Sequence, residues 1–263
     1  MNAAGPVVQA WRGIIAVAGF QLQRMLTPQR LALGLAGAIF PAAVMLAARR
    51  IVGGLDRDFA VILLYALVPE ALCMLGLLVT MCPTVADELE RGTWQHVVVR
   101  PGGRRSLLLG TFLAAVTWTT GVALVSLVLT LMAAGVDGAA RLALILGALV
   151  IVSCCGRAAL FALPAVIVPK RALVASVGAA IVVEYLAGFL PAVVNQFTVS
   201  LRLRSLLVQW MGWRQSLPPD LRLIIDPQPT WMQLGAVGGL TILLLTIAGV
   251  ILAWRQFPPA EES

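Results

Sequence analysis

Long apolar runs separated by short polar connectors divide this chain. Runs over 31–48, 59–82, 107–136, 142–168, 172–194 and 231–254 each have the length and hydrophobicity of a helix crossing about 30 Å of hydrocarbon. Their boundaries are marked by charge or by turn residues: Arg30 and Arg49-Arg50 around the first, Gly135-Val136-Asp137-Gly138 after the third, and Pro169-Lys170-Arg171 between the fourth and fifth. Trp231 and Trp254 frame the last run as an aromatic pair at opposite interfaces. The pattern predicts an all-α integral membrane protein with six transmembrane helices over 31–254, followed by a short tail, 255–263.

Three passages break the rhythm. In residues 1–30, Val7, Trp11, Ile14, Ala18, Leu22 and Met25 form one helical stripe, with Gln9, Arg12, Gln23 and Arg24 largely off it. That periodicity predicts an amphipathic helix lying in the membrane interface, ended by Thr27-Pro28. Between the fifth and sixth runs, 195–230 carries a second stripe of Val199, Leu203, Leu206, Trp210 and Trp213 opposite Arg202, Ser205 and Gln209. One or two short interfacial or re-entrant helices are expected there, closed by Pro218-Pro219 and Pro227-Gln228-Pro229. The third passage, 83–106, is the longest charged stretch. Thr84 and Asp87 have capping-box spacing, Asp87, Glu88 and Glu90 enrich the first turns with anions, and Arg100-Pro101-Gly102-Gly103 ends the segment. Arg104-Arg105 then read as headgroup anchors for the third span.

Composition narrows the class. The chain is 60% hydrophobic and only 12% charged over 263 residues, with a mean hydropathy of +0.94, which excludes an ordinary soluble domain. The net charge of +7 comes from 18 Arg and one Lys, spread over connectors without a clustered basic face, so nucleic acid is not an expected partner. With 195–230 set aside, ten Lys and Arg fall on the side of the termini against four on the other, which places both termini in the cytoplasm. Cys73, Cys82, Cys154 and Cys155 lie in or beside apolar runs without metal-site spacing, and read as small buried hydrophobes.

The string Asp87-Glu88-Leu89-Glu90-Arg91-Gly92-Thr93, followed by Arg100-Pro101, Arg104-Arg105 and Gly110, resembles the signature of type-2 ABC exporter permeases. That family carries an acidic pair, Glu-Arg-Gly-Thr, an apolar stretch, Arg-Pro, a basic residue and a Gly-Lys opening the third span. Here Thr111 stands where the family often has Lys. The resemblance implies that 83–106 contains a cytoplasmic coupling helix docking on a separate ABC ATPase subunit, present in two copies, which binds the ATP and Mg. It further implies an N-terminal elbow helix, short extracellular helices before the last span, and a second permease copy as homodimer or similar heterodimer partner in a bacterial cytoplasmic membrane. The matching positions Asp87, Glu88, Glu90, Arg91, Gly92, Thr93, His96, Arg100, Arg104 and Arg105 become the candidate ATPase-coupling residues. Glu88 and Glu90 are the expected contacts.

The chain offers no catalytic machinery of its own. It contains no GxxxxGK[ST], no HExxH and no GxSxG, so ATP hydrolysis and any cofactor are assigned to the partner, and no metal is expected. Three ionisable residues fall inside the runs: Glu70 beside Pro69, Arg157 and Glu184. A charge at mid-membrane costs about 2.5–3.5 kcal/mol or more, so each needs a partner or a wet cavity. Arg157 and Glu184 are nearly symmetric about the turn at Lys170-Arg171, which predicts a pair clamping the fourth and fifth spans; Glu70 is the candidate pathway residue. The function these features favour is a permease subunit of an ATP-driven exporter for a lipophilic or amphipathic substrate. Alternatives are a proton-coupled secondary transporter and a non-transporting membrane scaffold or biogenesis factor.

Overall fold

A computed structural model describes residues 6–53, 56–99, 102–136, 138–185, 198–213 and 228–255. Its described elements are helical throughout: α1 (Pro6–Met25), α2 (Pro28–Val52), α3 (Arg57–Tyr65), a π-helical segment (Ala66–Leu72), α4 (Cys73–Met81), α5 (Thr84–Glu90), α6 (Trp94–Val99), α7 (Gly103–Ala134) and α8 (Ala139–Ile167). A 3-10 turn (Pro169–Arg171), α9 (Ala172–Ala180), a second π segment (Ile181–Tyr185), α10 (Val199–Met211) and α11 (Thr230–Trp254) complete them.

Five of these helical stretches are long and apolar enough to cross a membrane: 28–52, 57–90, 103–134, 139–167 and 230–254. The expected fifth span, 172–194, is described only as far as Tyr185, and 186–194 lies outside the described residues. The first span is longer than the apolar run predicts. Arg30, Arg49 and Arg50 are helical, because a long cationic side chain at a helix end can reach polar surroundings without ending the helix.

The fourth run becomes the centre of the bundle. In α8, 67% of the most apolar stretch is buried, against 17% in α2 and in α11, and α8 packs on α4, α7, α9, α10 and α11. Small residues set those approaches. A Cβ on Gly156 would stand 3.0 Å from Val199 on α10 and 3.3 Å from Val237 on α11, so a side chain there would make both valines give way.

Two amphipathic stripes pack differently from expectation. In α1 the buried positions are Ile14, Gln21 and Met25, while Trp11 is 57% exposed. The expected stripe is kept at Ile14, Ala18, Leu22 and Met25 and lost at Trp11, and the helix runs alongside the start of α7, with Gly13 facing Ser106 and Ile14 and Val17 facing Gly110. At 32 residues α7 is about 48 Å long, more than the hydrocarbon needs, so its first turns can extend beyond it and support α1. In α10 the stripe residues Val199, Leu203 and Leu206 are buried and Trp210 is half-buried, but Arg202 and Ser205 on the opposite face are buried too. This helix therefore enters the bundle, as a re-entrant element would, and does not lie on its surface.

The helix ends are closed by arginines from other helices. Arg104 of α7 donates to the carbonyls of Leu252 (3.0 Å), Ala253 (2.6 Å) and Arg255 (3.3 Å) at the end of α11. Arg255 donates to Val166 (3.2 Å) and Ile167 at the end of α8. At the other end of the bundle, Arg49 donates to Ala133 near the end of α7. Each guanidinium meets carbonyls that have no intrahelical donor, at the negative end of a helix dipole. Arg104, expected as a headgroup anchor, is thus a cap on a neighbouring helix.

Alanine substitutions at two glycines of α7 should separate packing from propensity. Gly110→Ala would bring a Cβ within 2.6 Å of Val17 Cγ1 and 3.0 Å of the Ile14 carbonyl, and overpacking of this kind costs about 1–3 kcal/mol. Gly121→Ala meets nothing within 4 Å and should gain up to about 1 kcal/mol of helix propensity. Thermal melts of the purified protein should move in opposite directions for the two variants.

Candidate functional site

Two polar sites stand out in this apolar bundle. The first is built on a break in the second span. Pro69 has no backbone N–H, and the helix passes it as a π-helical segment, a bulge that leaves carbonyl oxygens open to outside donors. Ser153 and Arg157, four residues apart on α8 and hence on one face, both reach it. Ser153 Oγ donates to the Pro69 carbonyl at 2.6 Å, and Arg157 Nη1 donates to the carbonyls of Pro69 at 2.7 Å and Glu70 at 3.2 Å.

The other side of the Arg157 guanidinium gathers carboxylates. Nη2 lies 3.4 Å from Glu184 Oε2, the partner suggested by their symmetric spacing about the turn, and 3.7 Å from Glu70 Oε1. It also donates to Ser200 Oγ at 2.9 Å. Ser200, in the first turn of α10, donates both its backbone N–H (3.1 Å) and its hydroxyl to Glu184 Oε2. Glu70 Oε1 accepts from Arg204 Nη2 at 3.2 Å. Glu184 sits on the second π segment, so both carboxylates of the cluster are carried by π-distorted backbone.

Two arginines and two glutamates make the cluster neutral by formal charge. Arg157 is 1% exposed and Glu184 5%, while the Arg204 side chain is 53% exposed, so the network runs from a sealed end to an accessible one. Mutual pairing and carbonyl bonds offset a desolvation that none of these charges could bear alone. Glu70, the expected pathway residue, is held between two cations. Arg204 and Ser200 were not predicted as members. Arg204 falls between the buried stripe and its polar complement in α10, and only the insertion of that helix into the bundle brings it to Glu70.

The second site is the charged passage between the second and third spans. Its first helix does not begin with the expected capping box. Pro83 is the N-cap, and Thr84 Oγ1 donates back to the Met81 carbonyl, so α5 follows α4 with only a brief interruption. Gly92 at φ +68° separates α5 from α6, and Gly102 at φ +73° precedes α7, both in the left-handed region that favours glycine.

Arg24 braces this passage. Its Nη2 lies 3.0 Å from Asp87 Oδ2 and its Nη1 3.2 Å from Glu88 Oε1, and it stacks on Phe20, 5.7 Å from the ring centre. Glu88 is buried, and its other oxygen accepts from the Thr93 hydroxyl. Two acidic positions expected together in the docking face are therefore separated: Glu88 ties α5 to α1, and Glu90 is exposed. Arg91, Gly92, Gln95 and His96 are exposed beside it, Thr93 is half-buried, and Arg105 is exposed at the start of α7. Trp94 is buried, with the Arg104 guanidinium 5.9 Å from its ring centre. Arg100 lies outside the described residues.

Compared with family models, curated proteins and solved structures, the chain has no match.

Three variants test the buried cluster. Arg157→Met leaves two carboxylates without their central cation and should cost about 3–5 kcal/mol. Adding Glu184→Leu should restore much of the loss, because Glu70 retains Arg204. A charge swap, Arg157→Glu with Glu184→Arg, should not restore it, since a carboxylate at 157 would face the Pro69 carbonyl. Thermal melting and membrane yield give the ranking; recovery by the swap would mean that the carbonyl contacts contribute nothing.

Proposed function

We propose that this chain is the membrane-embedded permease subunit of an ATP-driven ABC exporter in a bacterial cytoplasmic membrane, working with a second permease copy and two separate ATPase subunits. The observation that carries this reading is the α5–α6 pair: a polar helical passage between two spans, braced on α1 by Arg24, with Glu90, Arg91 and His96 turned outward. It supports a docking surface with a firm backing. A push on α5 would pass to α1 through Asp87 and Glu88, and a push on α6 would pass through Trp94 and Arg104 to the end of α11.

Both α1 and the end of α11 lie at the same end of the bundle as α5–α6, consistent with cytoplasmic termini. The moving part in this reading is the packing between spans, which has two arrangements whose populations ATP binding shifts. Apolar clefts between helices, with few polar groups on their walls, fit a lipophilic or amphipathic substrate. A proton-coupled carrier is the second reading, favoured by the two carboxylates of the buried cluster and by its exposed end at Arg204. Transport driven by ATP without a pH gradient separates the two.

Charge reversal at the exposed positions, Glu90→Lys with Arg91→Glu, should lower co-purification of the ATPase at least tenfold and leave the melting temperature unchanged. Arg24→Ala should leave docking intact but lower transport per ATP hydrolysed, because the brace behind α5 is gone. An unaltered ATPase complex in the Glu90/Arg91 variant would remove the basis of the docking assignment.

A further inference from the structure

Arg204 is the loosest member of the buried cluster. Arg157 bonds two carbonyls of the broken span, Ser153, Ser200 and Glu184, whereas Arg204 makes one hydrogen bond, to Glu70 Oε1, from a half-exposed side chain. With Arg204 withdrawn, the sealed part holds the Arg157 guanidinium against the carboxylates of Glu70 and Glu184, an excess of one negative charge in an apolar bundle. Two carboxylates sharing one cation in such a setting do not both stay ionised.

Among the described residues no other cation is placed to substitute for Arg204. Arg202, two residues earlier on α10, turns to Gln233 at 2.9 Å and Gln228 at 3.2 Å. The charges of α2 and α7 lie near their ends, at Arg30, Arg49, Arg50, Arg104 and Arg105, and α4, α9 and α11 carry none. The thiols of Cys73 and Cys154 lie toward Arg157. A metal ion would need about six oxygens, and the carbonyls of Pro69 and Glu70 are already bonded by Arg157.

We propose that Glu70 is a proton-binding site, with Arg204 and the proton as its alternative occupants. The proton adds to a Glu70 carboxylate oxygen from water; Arg204 stays a guanidinium and leaves with its charge, so the sealed part is neutral in both states. Glu70 takes the proton in preference to Glu184. With Arg204 gone, Glu184 Oε2 still accepts from Arg157 and from the N–H and hydroxyl of Ser200. Glu70 instead loses its closest cation, and its side chain is 13% exposed where Arg204 stood. The Tyr65 hydroxyl, buried among the same charges, completes no hydrogen bond and can accept one from a protonated Glu70.

The direction of access follows from α10. The helix starts at Glu184 with Ser200, and just beyond its end Trp213 donates to Asp58 at the start of the second span (3.1 Å). Arg204 stands about 6 Å from Ser200 toward that end. Glu70 therefore opens away from α5–α6, which lies at the other end of the same span. Repacking that draws Arg204 off the second span takes up a proton from that side and gives it back on return. This holds whether or not an ATPase docks on α5–α6, since it rests on the charges of the cluster alone.

The test reads the infrared carbonyl absorption of protonated carboxyl groups in the purified full chain at about pH 7, where exposed carboxyls are ionised. Arg204→Gln should show one such band, moved by D2O, while the unaltered chain and Arg204→Lys show none. Adding Glu70→Asp should displace the band, adding Glu184→Asp should leave it in place, and adding Glu70→Gln should remove it. No band in folded Arg204→Gln would overturn the proposal, as would a band displaced by Glu184→Asp instead, or one lost on adding sodium, which would assign the site to a metal ion. If Arg204→Gln cannot be purified at neutral pH, it should be recovered at about pH 5 or by adding Glu70→Gln, because a proton and an amide each remove the surplus charge. Recovery by neither would also overturn it.

Discussion

The bundle depends on one guanidinium meeting one interrupted backbone. Proline at position 69 leaves the second span unable to satisfy its own carbonyls, and Arg157 on the central helix is placed to do so. Once that arginine is buried it needs anions, and Glu70 and Glu184 supply them from two separate π-distorted segments. The anions in turn fix the entry of α10, whose first serine bonds Glu184 and whose Arg204 returns to Glu70. Removing any one member exposes another, so the second span, α8, the α9 segment and α10 are held as a unit at mid-depth. In a protein otherwise packed through apolar and small side chains, this is the contact with the most stringent geometry.

Arginine also explains how the helices end. With 18 Arg against one Lys, basic residues look from composition alone like membrane anchors. Several of them instead bridge to carbonyls on a different helix. A planar guanidinium can bond two or three carbonyls at once, which a single ammonium does less well, and this gives a physical reason for the bias. Arg24 applies the same geometry to two carboxylates, joining the N-terminal helix to the charged passage.

Much of this was legible in the sequence, and the remainder has definable causes. Five of the six apolar runs located long helices, since length and hydrophobicity suffice for that. Equal spacing about a tight turn located Arg157 and Glu184, because antiparallel neighbours share depth. What sequence could not give was which face of a helix would be covered. Trp11 reads as part of a buried stripe, yet α1 meets α7 through Gly13 and Gly110, so its covered face follows the glycines. Arg202 and Ser205 read as the polar side of an interfacial or re-entrant helix, yet both are buried in the bundle. Glu88 and Glu90 are chemically alike and two residues apart; a half-turn of helix directs one to Arg24 and leaves the other exposed. The Thr84 cap was misassigned for a similar reason, since the preceding helix supplies the acceptor at Met81 that a free helix start would lack.

The closure of the helix ends bears on the order in which the protein is made. The last carbonyls of α8 are bonded by Arg255, and the donors of Arg104 meet acceptors at 252–255. When the ribosome has completed α7 and α8, neither end has its partner, and neither obtains it until α11 has been inserted. Assembly at this face therefore waits for α11, and nascent chains halted before that helix would leave the central helix unsealed to quality-control proteases.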